Sequence, residues 1–303
     1  MARHKSEENR TARIRLGGVE LSVALDKELY ERLKASLPYR LLRRLPKVPV
    51  VRNGEPPLDG LRLEQIEWYQ TIDLGNGTVT PGFVDHREQV GLYGLPDSLE
   101  GKRCLDVATF DGFWAFEMET RGAAEVVAID LHSLRDCDIP IHFYEQYERG
   151  VAGNIKGRGF AYAKRARGSQ VQRKVHSVYD LSPATVGTFD FVFLSDLLIH
   201  LRDPMAAIEA VRSVLRADGE AIIAEIFDPE LEEGAHENAM RMMMALDEYS
   251  GCWWWYPTSS SLKQMLRMAR FAEVEEVARL TLGTSTDFQL PKVVLRARGG
   301  AAD

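Results

Sequence analysis

The chain has little that would tie it to an oxidising compartment, a membrane or a polyanion. Its 303 residues include three cysteines, Cys104, Cys137 and Cys252, too few and too scattered for a disulfide framework or a zinc knuckle. No apolar run approaches the length of a membrane span, and the opening "MARHKSEENR" is charged where a signal peptide needs an apolar core. Positive charge is in deficit: 38 Lys and Arg stand against 45 Asp and Glu, a net charge of −7, which argues against a broad nucleic-acid-binding face. There is no internal repeat. A soluble, cytoplasmic protein with no membrane partner is the expectation. At 45% hydrophobic residues it can bury a full core.

Three stretches differ along the chain. Residues 1 to about 60 form a basic, then proline-rich extension, with a helical pattern in "DKELYERLKASLPYRLLRRLP" and a linker in "KVPVVRNGEPPLDG". From Leu61 to Leu99 the chain is mixed, and Gly75, Gly77, Pro81 and Gly82 predict a tight, hairpin-like excursion. From Gly101 a regular alternation begins. The strands "RCLDVA", "EVVAID", "RKVHSVYDL", "FDFVFLSDLL" and "EAIIAEIF" are apolar nearly throughout and alternate with helices, which predicts a doubly wound α/β domain with a parallel sheet covered on both faces. Asp203 and Pro204 start one helix, and Gly219 reads as its stop. "EVEEVARLTLG" and "KVVLRARG" have no helix between them and are expected to pair antiparallel at the sheet edge.

Glycine is also scarce where a nucleotide fold would concentrate it. In "LDVATFDGFWAFEMETRG" the strand ends near Asp106, and Ala108, Phe110 and Gly112 follow at alternate positions, so only one of three expected glycines is present. A diphosphate needs close backbone approach, which Phe110 obstructs, and no Gly-Lys-Ser/Thr offers a triphosphate site. A ligand with adenosine but no phosphates tolerates Ala108 and Phe110, and S-adenosylmethionine meets that description. Asp130, followed by Leu131, ends the second strand eighteen residues after Gly112, where a carboxylate can accept both ribose hydroxyls. Asp180 ends the third strand, within reach of the adenine amino group, with Tyr179 or Val178 lining the ring.

These residues resemble motif I and the acidic loop of class I S-adenosylmethionine-dependent methyltransferases. The closer similarity is to the branch described as tRNA wobble-uridine (5-hydroxyuridine) methyltransferase-like, through the segment Trp68 to Gly82, "LLIHLRDP" from Leu197 to Pro204, and the stretch from Trp254 to Pro257. The resemblance covers roughly residues 65 to 298. It implies a seven-stranded sheet ending in the hairpin, with S-adenosylmethionine as donor. Asp106, Ala108 and Gly112 would match motif I, Asp130 the ribose acid, Asp180 the adenine contact and Ser195 the strand end beside the methionine portion. Members that transfer a carboxymethyl group have a lysine before the first strand and a tyrosine beside the loop histidine. Phe83 to Leu99 has no lysine and Ile199 replaces the tyrosine, so the ordinary methyl donor is expected.

Acceptor chemistry is expected after the fourth strand, where the fold faces the methyl group. His200 is either a base or a structural histidine bonded to a backbone carbonyl. Glu225, at the end of the fifth strand, is either a second acid–base group or a buried carboxylate paired with Arg202 or another cation. A helical cap is expected over about 228–257, with the Met-rich helix "NAMRMMMALDEY". Met243, Trp254 and Trp255, with Trp68 and Tyr69, are candidate lining residues of an acceptor pocket. Such walls favour a small, flat or apolar acceptor, as in specialised metabolism. The basic run Lys156, Arg158, Lys164, Arg165, Arg167, Arg173 and Lys174 is the best case for the alternative, a tRNA acceptor, and otherwise reads as a solvated face. A non-catalytic S-adenosylmethionine-binding protein would keep the acids and need neither base nor aromatic pocket. The sequence leaves the oligomeric state open.

Overall fold

The computed structural model describes residues 10–16, 19–25, 52–53, 55–140, 156–234, 238–243 and 252–300, apart from positions 57, 59, 76 and 287. The chain divides into two compact units, Met1–Val50 and Val51–Asp303. In the first unit, β1 (Arg10–Leu16) and β2 (Val19–Leu25) form an antiparallel hairpin, with Leu16 opposite Val19. The helical pattern expected over residues 26–46 lies outside the described residues.

The second unit is the α/β domain. A two-residue edge strand, β3 (Arg52–Asn53), precedes β4 (Arg103–Val107), β5 (Glu125–Asp130), β6 (Gln172–Val175), β7 (Phe189–Ser195) and β8 (Leu215–Ile226). After the short ribbon strands β9 (Met240–Met242) and β10 (Trp255–Pro257) come β11 (Glu273–Gly283) and β12 (Gln289–Arg298). The main sheet has the order β11-β12-β8-β7-β4-β5-β6-β3. Strands β4 to β8 run parallel, while β12 pairs antiparallel with β8 and β11 antiparallel with β12, as the missing helix between them required. The seven strands of the expected sheet are all present, with β3 added at one edge. The order reverses between β4 and β7, so their carboxyl ends, with Val107 opposite Leu194, mark the crevice where such sheets bind ligands.

Helices cover both faces. α1 (Phe113–Thr120) and α2 (Arg158–Arg167) bury Phe113, Trp114, Phe116 and Phe160 on one side. α3 (Pro183–Val186) and α4 (Pro204–Val214) lie on the other, α4 contributing Ile208 and Val211 to the core. α5 (Pro229–Glu233) follows β8, and α6 (Ser259–Met268) adds Leu262 and Leu266 to the second core. Asp203 caps α4 by accepting the Ala206 N–H at 3.0 Å, and Thr258 caps α6 through the Ser261 N–H at 3.1 Å.

Three expectations need correction. Gly219 does not stop α4, which ends at Val214; it lies within β8, where the register with β7 shifts, and a Cβ there would meet the Asp190 carbonyl at 3.0 Å. The third strand stops at Val175, because His176 N–H turns to the Asp130 carbonyl and Ser177 starts a 3-10 turn, so Asp180 closes that turn rather than the strand. Among the described residues the expected cap is helical only in α5. Met240–Met242 form a strand because their backbone pairs with Trp255–Pro257, and residues 244–249 of the expected Met-rich helix lie outside the described residues.

Candidate active site

The turn after β4 is built from inside the sheet outward. Asp106 is buried on β4, and burial pushes its carboxyl up to about 7. Its Oδ2 has no hydrogen-bond partner among the described residues. Ala108 and Phe110 then take left-handed backbone conformations, φ 60° and 49°, which glycine would adopt without cost. Gly112, at φ 100°, begins α1, and a Cβ there would strike Phe160 at 2.7 Å and Phe116 at 2.8 Å. Core packing therefore demands the one glycine that is present.

Asp130 lies across this turn at the end of β5, buried to 4% exposure. Its Oδ2 accepts the Phe110 N–H at 3.1 Å and its Oδ1 accepts the Leu131 N–H at 2.7 Å. The Lys156 ammonium also meets Oδ1 at 2.8 Å and stands 4.8 Å above the Phe110 ring. Burial opposes the charge on Lys156, but Asp130 outweighs it and holds the lysine above its ordinary value. Arg173, equally buried, donates to the Leu131 carbonyl at 3.0 Å. Lys156 and Arg173 thus leave the expected solvated basic face, because the buried end of β5 needs their charge and hydrogen bonds.

A residue that no sequence motif singles out fixes the wall of the crevice. Asp111 is buried, and its Oδ2 accepts the N–H groups of Tyr69 at 2.7 Å and Gln70 at 3.0 Å. Gln70 returns the contact, its Oε1 accepting the Phe113 N–H at 3.0 Å. The segment carrying Tyr69 and Gln70 is thereby clamped onto the turn, and the Tyr69 ring comes within 4.9 Å of Phe110 and 6.2 Å of Phe83. Trp68 goes the other way. It is buried in the core, edge-on to Tyr162 at 6.0 Å, with its indole N–H on the Leu63 carbonyl, so it does not line the crevice.

Beyond β7 the chain makes a second tight turn. Ser195 ends the strand, Asp196 adopts φ 53°, and the loop continues to His200. His200 Nδ1 lies 2.9 Å from the Cys252 carbonyl oxygen, and burial lowers its pKa. Glu225 is fully buried and does not meet Arg202. Its carboxylate accepts the N–H groups of Leu197 at 3.1 Å, Leu198 at 2.7 Å and Ile226 at 2.8 Å, while burial and then the charge of Asp196 push it up to about 8. Arg202 instead stacks on Trp254 at 4.5 Å and approaches Asp138. Trp254 donates its backbone N–H to Ile199 at 2.7 Å and accepts from Met243 N–H at 3.0 Å, tying the cap ribbon to this loop. The indole N–H of Trp255 is buried without a partner among the described residues. The Tyr179 hydroxyl donates to Asp138 at 2.9 Å and accepts the Asp203 N–H at 3.2 Å, which fixes the ring beside the same loop.

The buried polar cluster least visible in the sequence centres on Lys292. It lies on β12, fully buried, with Nζ 2.6 Å from Asp196 Oδ2 and 3.0 Å from Ser195 Oγ. Tyr93 lies beneath it, the ammonium 5.3 Å from the ring centroid, and the Tyr93 hydroxyl continues to His86 Nδ1 at 3.0 Å. Only a lysine surrounded by the apolar residues of "LPKVVL" signals this cluster.

A doubly wound sheet whose first turn closes on the acid ending the next strand is the frame of class I S-adenosylmethionine-dependent methyltransferases. The chain belongs to that class: the family described as methyltransferase domain matches residues 88–276. Among curated proteins, a tRNA U34 carboxymethyltransferase of Ectopseudomonas mendocina is 28% identical over 193 residues, which is 63% of this chain and 51% of that protein. A ubiquinone biosynthesis O-methyltransferase of Xanthomonas euvesicatoria is 30% identical over 128 residues, 42% of this chain and 44% of that one. The chain spans about half the length of the curated relatives it matches. Among solved structures, the N-terminal domain of EvdMO1 with SAH bound shares the fold, with a TM-score of 0.52 at 15% identity over 81% of this chain and 98% of that one. Among the described residues no helix is long and apolar enough to cross a membrane, and no cluster of side chains could hold a metal ion.

Proposed function

We propose that this methyltransferase acts on a small acceptor with a flat, apolar body. S-adenosylmethionine supplies a methyl group already activated by its sulfonium, which leaves the protein to align the acceptor and, for a hydroxyl, to take a proton. The residues of the first turn fit that donor. Asp130 offers a buried carboxylate, Asp106 a buried oxygen without a partner among the described residues, and Phe110 a ring where a pyrophosphate would need open backbone. Asp130 would hold the ribose hydroxyls, Asp180 with Tyr179 and Val178 the adenine, and Ser195 the methionine portion.

The observation that carries the acceptor reading is the wall formed by Tyr69, Phe110 and Phe83 directly beside the donor turn. Rings at this spacing suit a flat apolar body and offer nothing to a phosphate. Similarity to an O-methyltransferase of ubiquinone biosynthesis supports the same reading. Similarity to the tRNA U34 carboxymethyltransferases supports a second one, a wobble-uridine acceptor. Two cations of the basic run turn inward around Asp130, Lys156 half-buried and Arg173 buried, which weakens that run as an RNA-binding face. Methyl-labelled S-adenosylmethionine offered to small aromatic acceptors and to undermodified tRNA separates the two. Label is expected in a small aromatic compound, and label in tRNA alone would replace the first reading with the second.

A further inference from the structure

Several features outside the donor turn converge on one side chain. Asp196 follows β7 at the point where the strand order reverses, with a left-handed φ of 53° and its N–H on the Ala224 carbonyl at 3.0 Å. Its side chain is only 9% exposed. The two carboxylate oxygens differ. Oδ2 is occupied by the Lys292 ammonium at 2.6 Å and the Ser195 hydroxyl at 3.0 Å, whereas Oδ1 is buried with no hydrogen-bond partner among the described residues. A desolvated, unsatisfied carboxylate oxygen is costly to a fold and is retained where something else completes it. The charge of Asp196 bears on Tyr69, His86, His200 and Glu225 from four different segments, which puts it at the centre of the acceptor side.

We propose that Asp196 Oδ1 accepts the hydrogen bond, and then the proton, of a hydroxyl on the acceptor, which makes Asp196 the proton-accepting catalytic residue and the substrate class an aromatic hydroxyl compound. This rests on the small-acceptor reading above. Lys292 keeps the opposite oxygen engaged, so a single oxygen faces the ligand. Tyr69, anchored by Asp111, supplies the ring face for the acceptor. In the reaction the hydroxyl oxygen forms its bond to the methyl carbon as the carbon–sulfur bond breaks. The electron pair of that bond stays on sulfur, and the hydroxyl proton ends on Asp196 Oδ1, to be lost to water when the product leaves.

The test uses the full chain, wild type and Asp196→Asn, with substituted phenols, the matching anilines and the matching methyl ethers as probes. Calorimetry with S-adenosylhomocysteine comes first: both proteins should bind it within about threefold of each other. If the wild type does not bind it, the cofactor half of the functional reading fails, not this assignment. With the cofactor product bound, phenols should bind wild type about tenfold or more tightly than their ethers, and Asp196→Asn should erase that difference. With labelled donor, phenols should be methylated and Asp196→Asn should lower turnover by about a hundredfold or more. Equal affinity for phenols and ethers in the wild type overturns the proposal, as does label in anilines with none in phenols. So does wild-type turnover in Asp196→Asn, above all if His200→Ala is inactive, since the histidine would then be the base.

Discussion

The two turns that flank the crevice, one after β4 and one after β7, are built on different principles. The first, the proposed donor turn, is compact: Asp106, Ala108, Phe110 and Gly112 lie within seven residues, Asp130 closes it from the adjacent strand, and Asp111 ties Tyr69 to it. The second, the proposed acceptor turn, is assembled from afar. Asp196 meets Lys292 from 96 residues away, and Glu225 ties its loop from β8. A local turn can be swapped or copied as one piece, whereas the distant one depends on the whole sheet. The matched family region, residues 88–276, contains both turns.

The deepest cut into that contrast is Lys292→Met. The lysine is fully buried against Asp196, and removing one member of a buried ion pair leaves the other uncompensated, a loss of about 3–5 kcal/mol. Urea unfolding should show that loss, and Lys292→Met with Asp196→Asn together should recover part of it. A single variant as stable as wild type would mean that the acceptor side does not hang on the pair. On the donor side Asp130→Ala also removes one member of an ion pair, with Lys156, and its effect on the ligand is direct. Loss of charge-assisted hydrogen bonds to two hydroxyls is worth about 1.5–3 kcal/mol, or about ten- to a hundredfold in affinity for S-adenosylhomocysteine. Unchanged affinity in a folded variant would remove the ribose role from Asp130.

The same contrast separates what is legible in the amino-acid sequence from what is not. The sheet, the terminal hairpin and the helix caps are legible because hydrophobic period, Asp-Pro and Thr-Ser signals act over a few residues. The donor turn is legible for the same reason. Gly219 misleads because a helix stop and a strand bulge ask for the same residue. The Met-rich segment misleads because Met240–Met242 gain a strand partner, Trp255–Pro257, that no local pattern reveals. Trp68 and Tyr69 are neighbours in sequence with opposite fates, core and crevice, decided by Asp111. Glu225 stands out by its position at a strand end, yet its partners are three backbone amides that only the folded loop supplies.

Glu225 sharpens the comparison through pH. Burial and Asp196 raise its folded pKa to about 8 from an ordinary value of 4.5, so the proton binds the folded state more tightly. The stability contributed by that proton is complete below pH 4.5 and is lost as pH rises through about 8. Between pH 5 and 8 the slope can reach about 1.4 kcal/mol per pH unit for one proton. Asp106 and Asp111, each near 7 through burial, act in the same direction on the donor side. Glu225→Gln cannot titrate there, so it should lose less stability than wild type over this window while the Asp106 and Asp111 contribution persists. Parallel stability curves for the two proteins would assign the whole slope to the donor side.

The smallest effect, and the one that probes the donor turn most finely, is expected from Lys156→Met. A carboxylate offers about four lone-pair positions, and Asp130 uses three of them on Phe110 N–H, Leu131 N–H and Lys156. A ribose diol needs two, so the lysine ammonium and the ligand compete for the same oxygen. Removing the ammonium leaves Asp130 underpaired in the free protein, which lowers its stability, and binding of the diol then relieves more than it does in wild type. Affinity for S-adenosylhomocysteine should rise about two- to fivefold, under about 1 kcal/mol. The rise in melting temperature on adding the ligand should be larger in the variant than in wild type. A drop in affinity would instead make Lys156 a contact of the bound cofactor, and the donor turn would then, like the acceptor turn, depend on a distant lysine.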